Sequence, residues 1–354
     1  MATNLPRPAN ARPWAKTSSR SKFLVVLAAT IPALIAAFAL LVLKIPAILS
    51  VVVIFLPIQF ILAAIVGQII LGKRGRADAA LMVFTLFFSS IVAVLLVSVL
   101  WSVITEGYKV MSFAFIFQNN NYITPSTELG YGGLGHALLG SVEMVLITSL
   151  ITVPLGVLVG VYLTETRDKS RGIIRAFVQS LAGLPSVVAG LFIYSAIIVS
   201  GIMKPAGILG SLALIPLMLP TVARVCEESL KLVPQDLRSA AIGLGASNFK
   251  TFWQVVLPAA KSGVVTAILL GVARILGETA PILLTTIVGS GTNLDPFNGA
   301  YATLPSYLFN NLANSTNVSF QRAWGSALVV MIFVALAFGA TRILTRKRTA
   351  RKSR

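Results

Sequence analysis

The stretch GVARILGETAPILLTT, residues 271–286, decides how this chain is read. It belongs to a predominantly apolar run over 262–288, yet it carries Arg274 and Glu278 four residues apart. A run of that length and composition is a membrane span. Arginine at the centre of such a span costs ~2.5–3.5 kcal/mol on insertion scales. In an unbroken helix the two charges share one face, one turn apart, and neutralise each other. Either the pair joins two helices, or it marks a path for a charged substrate, the default reading of intramembrane charge. Gly277, between the charges, lets a backbone or ligand approach closely. Pro281 removes a backbone donor and kinks the span at that point. Both favour the path. Arginine also grips oxyanions in bidentate fashion and never loses its charge, so the substrate class expected is an oxyanion.

The rest of the chain agrees with a bilayer setting. Of 354 residues, 56% are hydrophobic, and mean hydropathy is +0.88, outside the range of soluble domains. Apolar length predicts about eight spans, at 23–43, 46–71, 80–104, 137–163, 174–200, 207–223, 262–288 and 323–343. The net charge of +18 suggests nucleic acid until its distribution is read. Lys and Arg gather in the N-terminal tail (Arg7, Arg12, Lys16, Arg20, Lys22) and in alternate loops, at Lys73–Arg76, Arg167–Arg175 and Arg224–Lys261. They gather again from Arg342 to Arg354. The other loops hold only Lys44, Lys109, Lys204 and Arg322. This is the positive-inside pattern. It puts both termini in the cytoplasm, turns the basic tails toward anionic lipid and excludes a nucleic-acid role. The first apolar stretch is too long for a secretory h-region and lacks a small-residue cleavage site. A single cysteine, Cys226, leaves no disulfide or cysteine metal cluster to build.

The organisation follows from the spans. Residues 1–22 read as a basic cytoplasmic tail, and 23–72 as a transmembrane hairpin turning at Lys44 and Pro46. The core runs over 80–345 and a basic tail over 346–354. The outer segment GYKVMSFAFIFQ (107–118), with Tyr108, Phe113, Phe115 and Phe117, reads as lying along the membrane surface. GYGGLGH (130–136) turns into the fourth span, where His136, like Tyr122 and Tyr131, reads as an interfacial polar residue. Glu143 is either a partner for Arg274 or a carboxylate near the outer interface. GQIILGKR (67–74) matches a phosphate-binding loop up to its lysine, but Arg74 stands where Ser or Thr is required. No HExxH and no paired carboxylates are present, so no catalytic or metal site is expected on this chain.

One inner loop is longer than the others, at 227–260. In LVPQDLRSAAIGLGASNFKTFWQVVLP (232–258), Pro234 starts a helix and Asp236 sits in its first turn. Leu237, Ala240, Ala241 and Leu244 form its apolar stripe, and Gly243 and Gly245 end it. Ser247 caps a second helix, with the stripe Phe249, Phe252, Trp253 and Val256, which Pro258 stops. The pair is either a docking knob or a cover for the inner ends of the bundle. Arg224, just before it, reads as a positive-inside anchor or as a second cation on the path.

Residues 239–258 resemble the cytoplasmic loop of ABC importer permeases, whose pattern is E-A-A, three residues, G, nine residues, I-x-L-P. Ala240, Ala241, Gly245, Val255, Leu257 and Pro258 fall in register, while Ser239 stands where the family usually has Glu. ARILGETAP (273–281) is similar to the signature of PstA-type subunits of high-affinity phosphate importers. LPSVVAGLF (184–192), VPLGVLVGVYLTE (153–165), VARVCEESLKLVPQDLR (222–238) and GGLGHALLGS (132–141) resemble the same family, over roughly 80–345.

The resemblance implies an all-α, polytopic prokaryotic membrane protein, with a six-helix permease core to which the hairpin is added. It implies a phosphate path at Arg274, Glu278 and Arg224, and ATPase coupling through Ser239, Ala240, Ala241, Gly245, Leu257 and Pro258. The partners implied are two ATP-binding subunits holding ATP and Mg, a second permease of PstC type and an extracytoplasmic phosphate-binding protein. This chain itself then binds no cofactor and is no enzyme. The alternatives are a permease for sulfate, molybdate or phosphonate, an anion carrier independent of ATP, and a membrane scaffold that transports nothing.

Overall fold

The computed structural model describes residues 19–44, 46, 49–166, 168–314 and 316–349. Arg7, Arg12, Lys16 and Arg167 of the basic clusters, and 350–354 of the C-terminal tail, lie outside them. The described residues are helical or irregular, with no strand among them. Seven helices are long and apolar enough to cross a membrane, and a sharply bent pair makes an eighth if it is taken as one span. A first compact unit ends at Leu100 and a second begins at Trp101.

In the first unit, α1 (Ser19–Leu41) packs on the N-terminal, π-helical turn of α2 (Ser50–Ile70). Ala28, Ala36 and Ala39 are buried, while Leu34, Phe38 and Leu41 are exposed. Small residues inward and large apolar residues outward is how membrane helices pack, because lipid already satisfies the large ones. Gly72 (φ 74°) breaks the chain between α2 and α3 (Arg74–Tyr108). The most apolar stretch of α3 has none of its residues buried in this chain.

The second unit is built around α8 (Gly207–Lys231), which packs on α5 (Gly135–Glu165) and α10 (Asn248–Leu276). The sequence permits this through glycine. A Cβ at Gly160 of α5 would come within 2.9 Å of the Ala223 carbonyl oxygen and the Cys226 Cβ. Met144, Leu214, Leu217, Met218, Val222 and Ile275 fill the core between the three helices. Helix α8 extends eight residues past the span expected at 207–223, so Arg224 and Lys231 are helical rather than in a loop.

Two expected spans are broken. The run at 174–200 is α6 (Ser170–Ala182) followed by α7 (Ser186–Val199), bent by 99°. Pro185 disfavours helical backbone at Leu184, and the break falls at 183–185. Helix α6 places Arg171, Ile174, Arg175 and Val178 on one face, turned inward, while Ile173 and Phe177 are exposed. Its fourteen-residue continuation α7 reaches only ~21 Å at 1.5 Å per residue, short of the ~30 Å hydrocarbon core. The run at 262–288 divides into the end of α10 and α11 (Ala280–Thr285).

The two ends of the unit differ in chemistry. A basic end carries Glu165, Lys231 and α9 (Gln235–Gly243). At the opposite, Asn-rich end lie α4 (Phe113–Phe117), α12 (Leu304–Ala313) and the start of α13 (Asn317–Thr349). Phe113 and Phe117 of α4 are exposed, as a surface segment requires, but Phe115 is fully buried.

Candidate functional site

Helix α10 determines where Arg274 sits. Ser247 caps it, accepting from the Lys250 N–H at 3.3 Å. Pro258 does not stop it. The helix widens into a π turn over Phe252–Val256 and continues to Leu276. A wider turn gives the proline ring room where an α turn would clash with the preceding carbonyl. Gly277 caps the C-terminus, and Pro281 lies in the first turn of α11, where its missing N–H is no loss. The break is therefore at 277–279, ahead of the kink expected at Pro281. Arg274 falls in the last turn of α10, where free carbonyls and the helix dipole favour a cation.

The expected Arg274–Glu278 pair does not form. No ion pair joins the two among the described residues. Because the helix ends between them, the i,i+4 geometry is lost. The Glu278 N–H donates to the Ile275 carbonyl at 3.2 Å within the break. Arg274 instead donates through Nη1 to Thr221 Oγ1 of α8 at 3.0 Å.

Around that contact lies an open cavity of about 240 Å³, lined by Ala182, Pro220, Thr221, Arg224, Val225, Glu228 and Arg274. Thr221, Arg224, Val225 and Glu228 are spaced i, i+3, i+4, i+7, one face of α8. The structure thus brings Arg274 and Arg224 to one cavity and leaves Glu278 outside its lining. Arg224 and Glu228 form no side-chain hydrogen bond or ion pair among the described residues. Two guanidinium groups face one carboxylate in a space far above the ~10–15 Å³ that admits one water. Opening to such a space relieves much of the cost of intramembrane charge. Guanidinium forks that no carboxylate occupies can hold a tetrahedral oxyanion.

At the basic end, α9 runs from Gln235 with Asp236 in its first turn, as expected. Gly245 turns the chain at φ 89°, a conformation that L side chains resist. Ser239 and Ala240 are exposed, Ala241 and Leu257 half-buried, and Pro258 exposed. Leu244 is 90% and Phe249 72% exposed. The stripe of α9 and the Phe249 and Trp253 side chains therefore face outward, while Val256 and part of Phe252 pack into the core. Arg238 braces the knob, donating to both Glu165 oxygens (2.6 and 2.8 Å) and to the Leu230 carbonyl (3.0 Å). Glu227 is buried and held by Arg175 of α6 and Lys231 of α8.

At the Asn-rich end, Tyr301 donates to Glu143 Oε2 at 2.7 Å, so Glu143 is a partner of that loop and not of Arg274. His136, expected at an interface, is buried against Tyr307, with ring centroids 5.6 Å apart. Arg322, expected in an outer loop, is 1% exposed. Its guanidinium donates to the carbonyls of Thr124, Thr127, Glu128 and Tyr131. Sequence reasoning missed Thr221, Glu228 and Arg322. The first two share a helical face with Arg224 and were open to a periodicity argument. Arg322 gave no such signal, because loop carbonyls have no sequence signature.

Residues 152–350 match the family described as binding-protein-dependent transport system inner membrane component. The chain is 39% identical over 259 residues to phosphate transport system permease protein PstA 1 of Mycobacterium tuberculosis (strain ATCC 25618 / H37Rv), covering 71% of this chain and 82% of that one. To PstA of Mycobacterium leprae (strain TN) it is 38% identical over 278 residues, covering 77% and 90%. To PstA of Yersinia pestis the figures are 35% over 272 residues, 76% and 88%. Among solved structures, an inward-facing MetNI methionine ABC transporter superposes with a TM-score of 0.51 at 20% identity, over 60% of this chain and 95% of that chain. At that identity the likeness concerns the fold alone.

Proposed function

The chain belongs to the PstA-type family of binding-protein-dependent permeases, and from that premise we propose that it carries phosphate across the membrane at the cavity shared by α8 and α10. It is the multi-pass permease subunit of an ATP-driven phosphate importer, a transport subunit rather than an enzyme. The observation that carries the site assignment is the convergence of Arg224 and Arg274, neither of them ion-paired, on one open cavity. Arg274, held by Thr221, and Arg224 bind the anion through their forks. Glu278 acts in the break between the half-helices and not as the counter-charge of Arg274.

A permease of this family works with an ATPase and a substrate-binding protein. Here the exposed stripe around Leu244 and Phe249 is the ATPase dock, with Ser239, Ala240, Ala241, Gly245, Leu257 and Pro258 shaping it. Two ATPase copies hold ATP and Mg, a PstC-type subunit completes the channel, and an extracytoplasmic phosphate-binding protein loads it. Both termini face the cytoplasm, and the hairpin of α1 and α2 contacts lipid.

The test is uptake of labelled phosphate at low external concentration, in cells carrying the whole complex with the native chain, Arg274→Gln or Arg274→Lys. Uptake falls roughly tenfold or more in both variants at normal assembly, since a hydrogen bond to a charged group contributes ~1.5–3 kcal/mol. Excess sulfate or molybdate does not compete in the native cells. Unchanged uptake makes Arg274 structural, and strong competition moves the substrate to another oxyanion.

A further inference from the structure

We infer that Glu228 selects oxyanions that keep a proton over those that have lost all of theirs. The inference rests on the anion reading of the cavity above and assigns its discrimination to a residue other than the arginines. Arg224 and Arg274 carry only donors. They grip any tetrahedral anion by its bare oxygens, so phosphate and sulfate look alike to them. An ionised carboxylate is the reverse, an acceptor only. At neutral pH inorganic phosphate retains at least one P–O–H and sulfate retains no proton. Phosphate can therefore lay two bare oxygens on the guanidinium groups and donate its hydroxyl to Glu228 in a charge-assisted bond. Sulfate in the same pose sets a bare anionic oxygen against the carboxylate, a repulsive contact that no rotation relieves.

The structure separates this glutamate from its neighbour. Glu227 is buried and bound by Arg175 and Lys231, which ties α6 to α8. Glu228 turns to the cavity, on the face that carries Thr221 and Arg224. It is exposed and has no ion-pair or side-chain hydrogen-bond partner among the described residues. Holding helices together thus falls to Glu227. Nor is Glu228 consumed in neutralising either arginine, and Arg274 is positioned by Thr221 instead. A carboxylate without a partner beside two guanidinium groups that pair with no carboxylate is the donor-and-acceptor set that a protonated oxyanion requires.

The experiment uses the assembled transporter in nanodiscs, without nucleotide and without the binding protein. Binding of radiolabelled phosphate is measured, counting only the component that Arg274→Gln abolishes, so that phosphate held by the ATPase subunits is excluded. In the native complex, unlabelled phosphate and arsenate, which also keeps a proton, displace that component at concentrations at least about tenfold below sulfate. In Glu228→Gln, whose amide also donates, sulfate comes within about threefold of phosphate. Glu228→Ala, which leaves no acceptor, shifts the ratio in the same direction and serves if the Gln variant does not assemble. A ratio unchanged by both substitutions overturns the role of Glu228 and leaves the anion site standing. A native complex with no Arg274-dependent component overturns the anion site and the inference with it.

Discussion

Arg274 and Arg322 show two ways of keeping an arginine in an apolar setting. Arg274 ends a helix, opens to a cavity and rests on one hydroxyl, so its fork stays available. Arg322 gives both terminal nitrogens to four carbonyls of one loop and leaves Nε unpartnered, with Thr316 and Ser319 of the same region both donating to the Pro125 carbonyl. A buried polar group left without a partner costs ~1–3 kcal/mol. Replacing Arg322 with Met, which fills the space without donors, should therefore cost at least about 3 kcal/mol across several orphaned carbonyls. The detergent-solubilised complex should unfold at a lower midpoint, and the 124–131 loop should become cleavable by protease. An unaltered midpoint with a protected loop would mean that water replaces the guanidinium at no cost. Sequence alone made Arg274 conspicuous, because an intramembrane charge is rare, and left Arg322 as one more outer cation.

At the scale of elements, the spans were legible because twenty apolar residues have few other uses, whereas the breaks within them were read less well. The Arg274–Glu278 spacing reads as a helical pair, yet Gly277 stands between them, a residue type that commonly closes helices. Pro258 read as a stop because the π turn that accommodates it leaves no mark in composition. The bend at 183–185 was announced by Gly183, Leu184 and Pro185, but the apolar length of the run masked it. The glycines sort themselves in the structure. A Cβ at Gly190 of α7 would lie 2.6 Å from the Cα of Pro281 in α11, while one at Gly277 would meet nothing within 4 Å. Gly190→Ala should thus lower stability by ~1–3 kcal/mol through forced separation of the two half-helices. Gly277→Ala, at φ −96°, should be neutral or stabilising by up to ~1 kcal/mol. Thermal unfolding of both variants side by side checks this, and equal loss in the two would refute the close-approach argument.

For the whole molecule, the outward stripe of the basic end separates folding from assembly. Leu244 is almost fully exposed, so Leu244→Asp should leave the permease itself within ~0.5 kcal/mol of native stability. Desolvating that carboxylate under a docked ATPase should weaken association by ~2 kcal/mol or more, seen as at least a roughly tenfold loss of ATPase subunit co-purifying with the complex. Retention of the ATPase would place the dock elsewhere. The knob was legible from its two apolar stripes. Its brace, Arg238 on Glu165, was not, because those residues are far apart in sequence and neither stands out in composition. The uninterrupted run of α10 through Pro258 has a mechanical consequence. Trp253, beside the proposed dock, and Arg274 at the cavity ride on one rod, about 30 Å apart at 1.5 Å per residue. Pivoted near either end, that rod amplifies angle into distance, so a tilt of about 10° sweeps the opposite end by about 5 Å, roughly one helical turn. On the proposed assignment, a small swivel at the ATPase dock carries the Arg274 guanidinium about 5 Å, with no need for the helix to bend, slide or unwind.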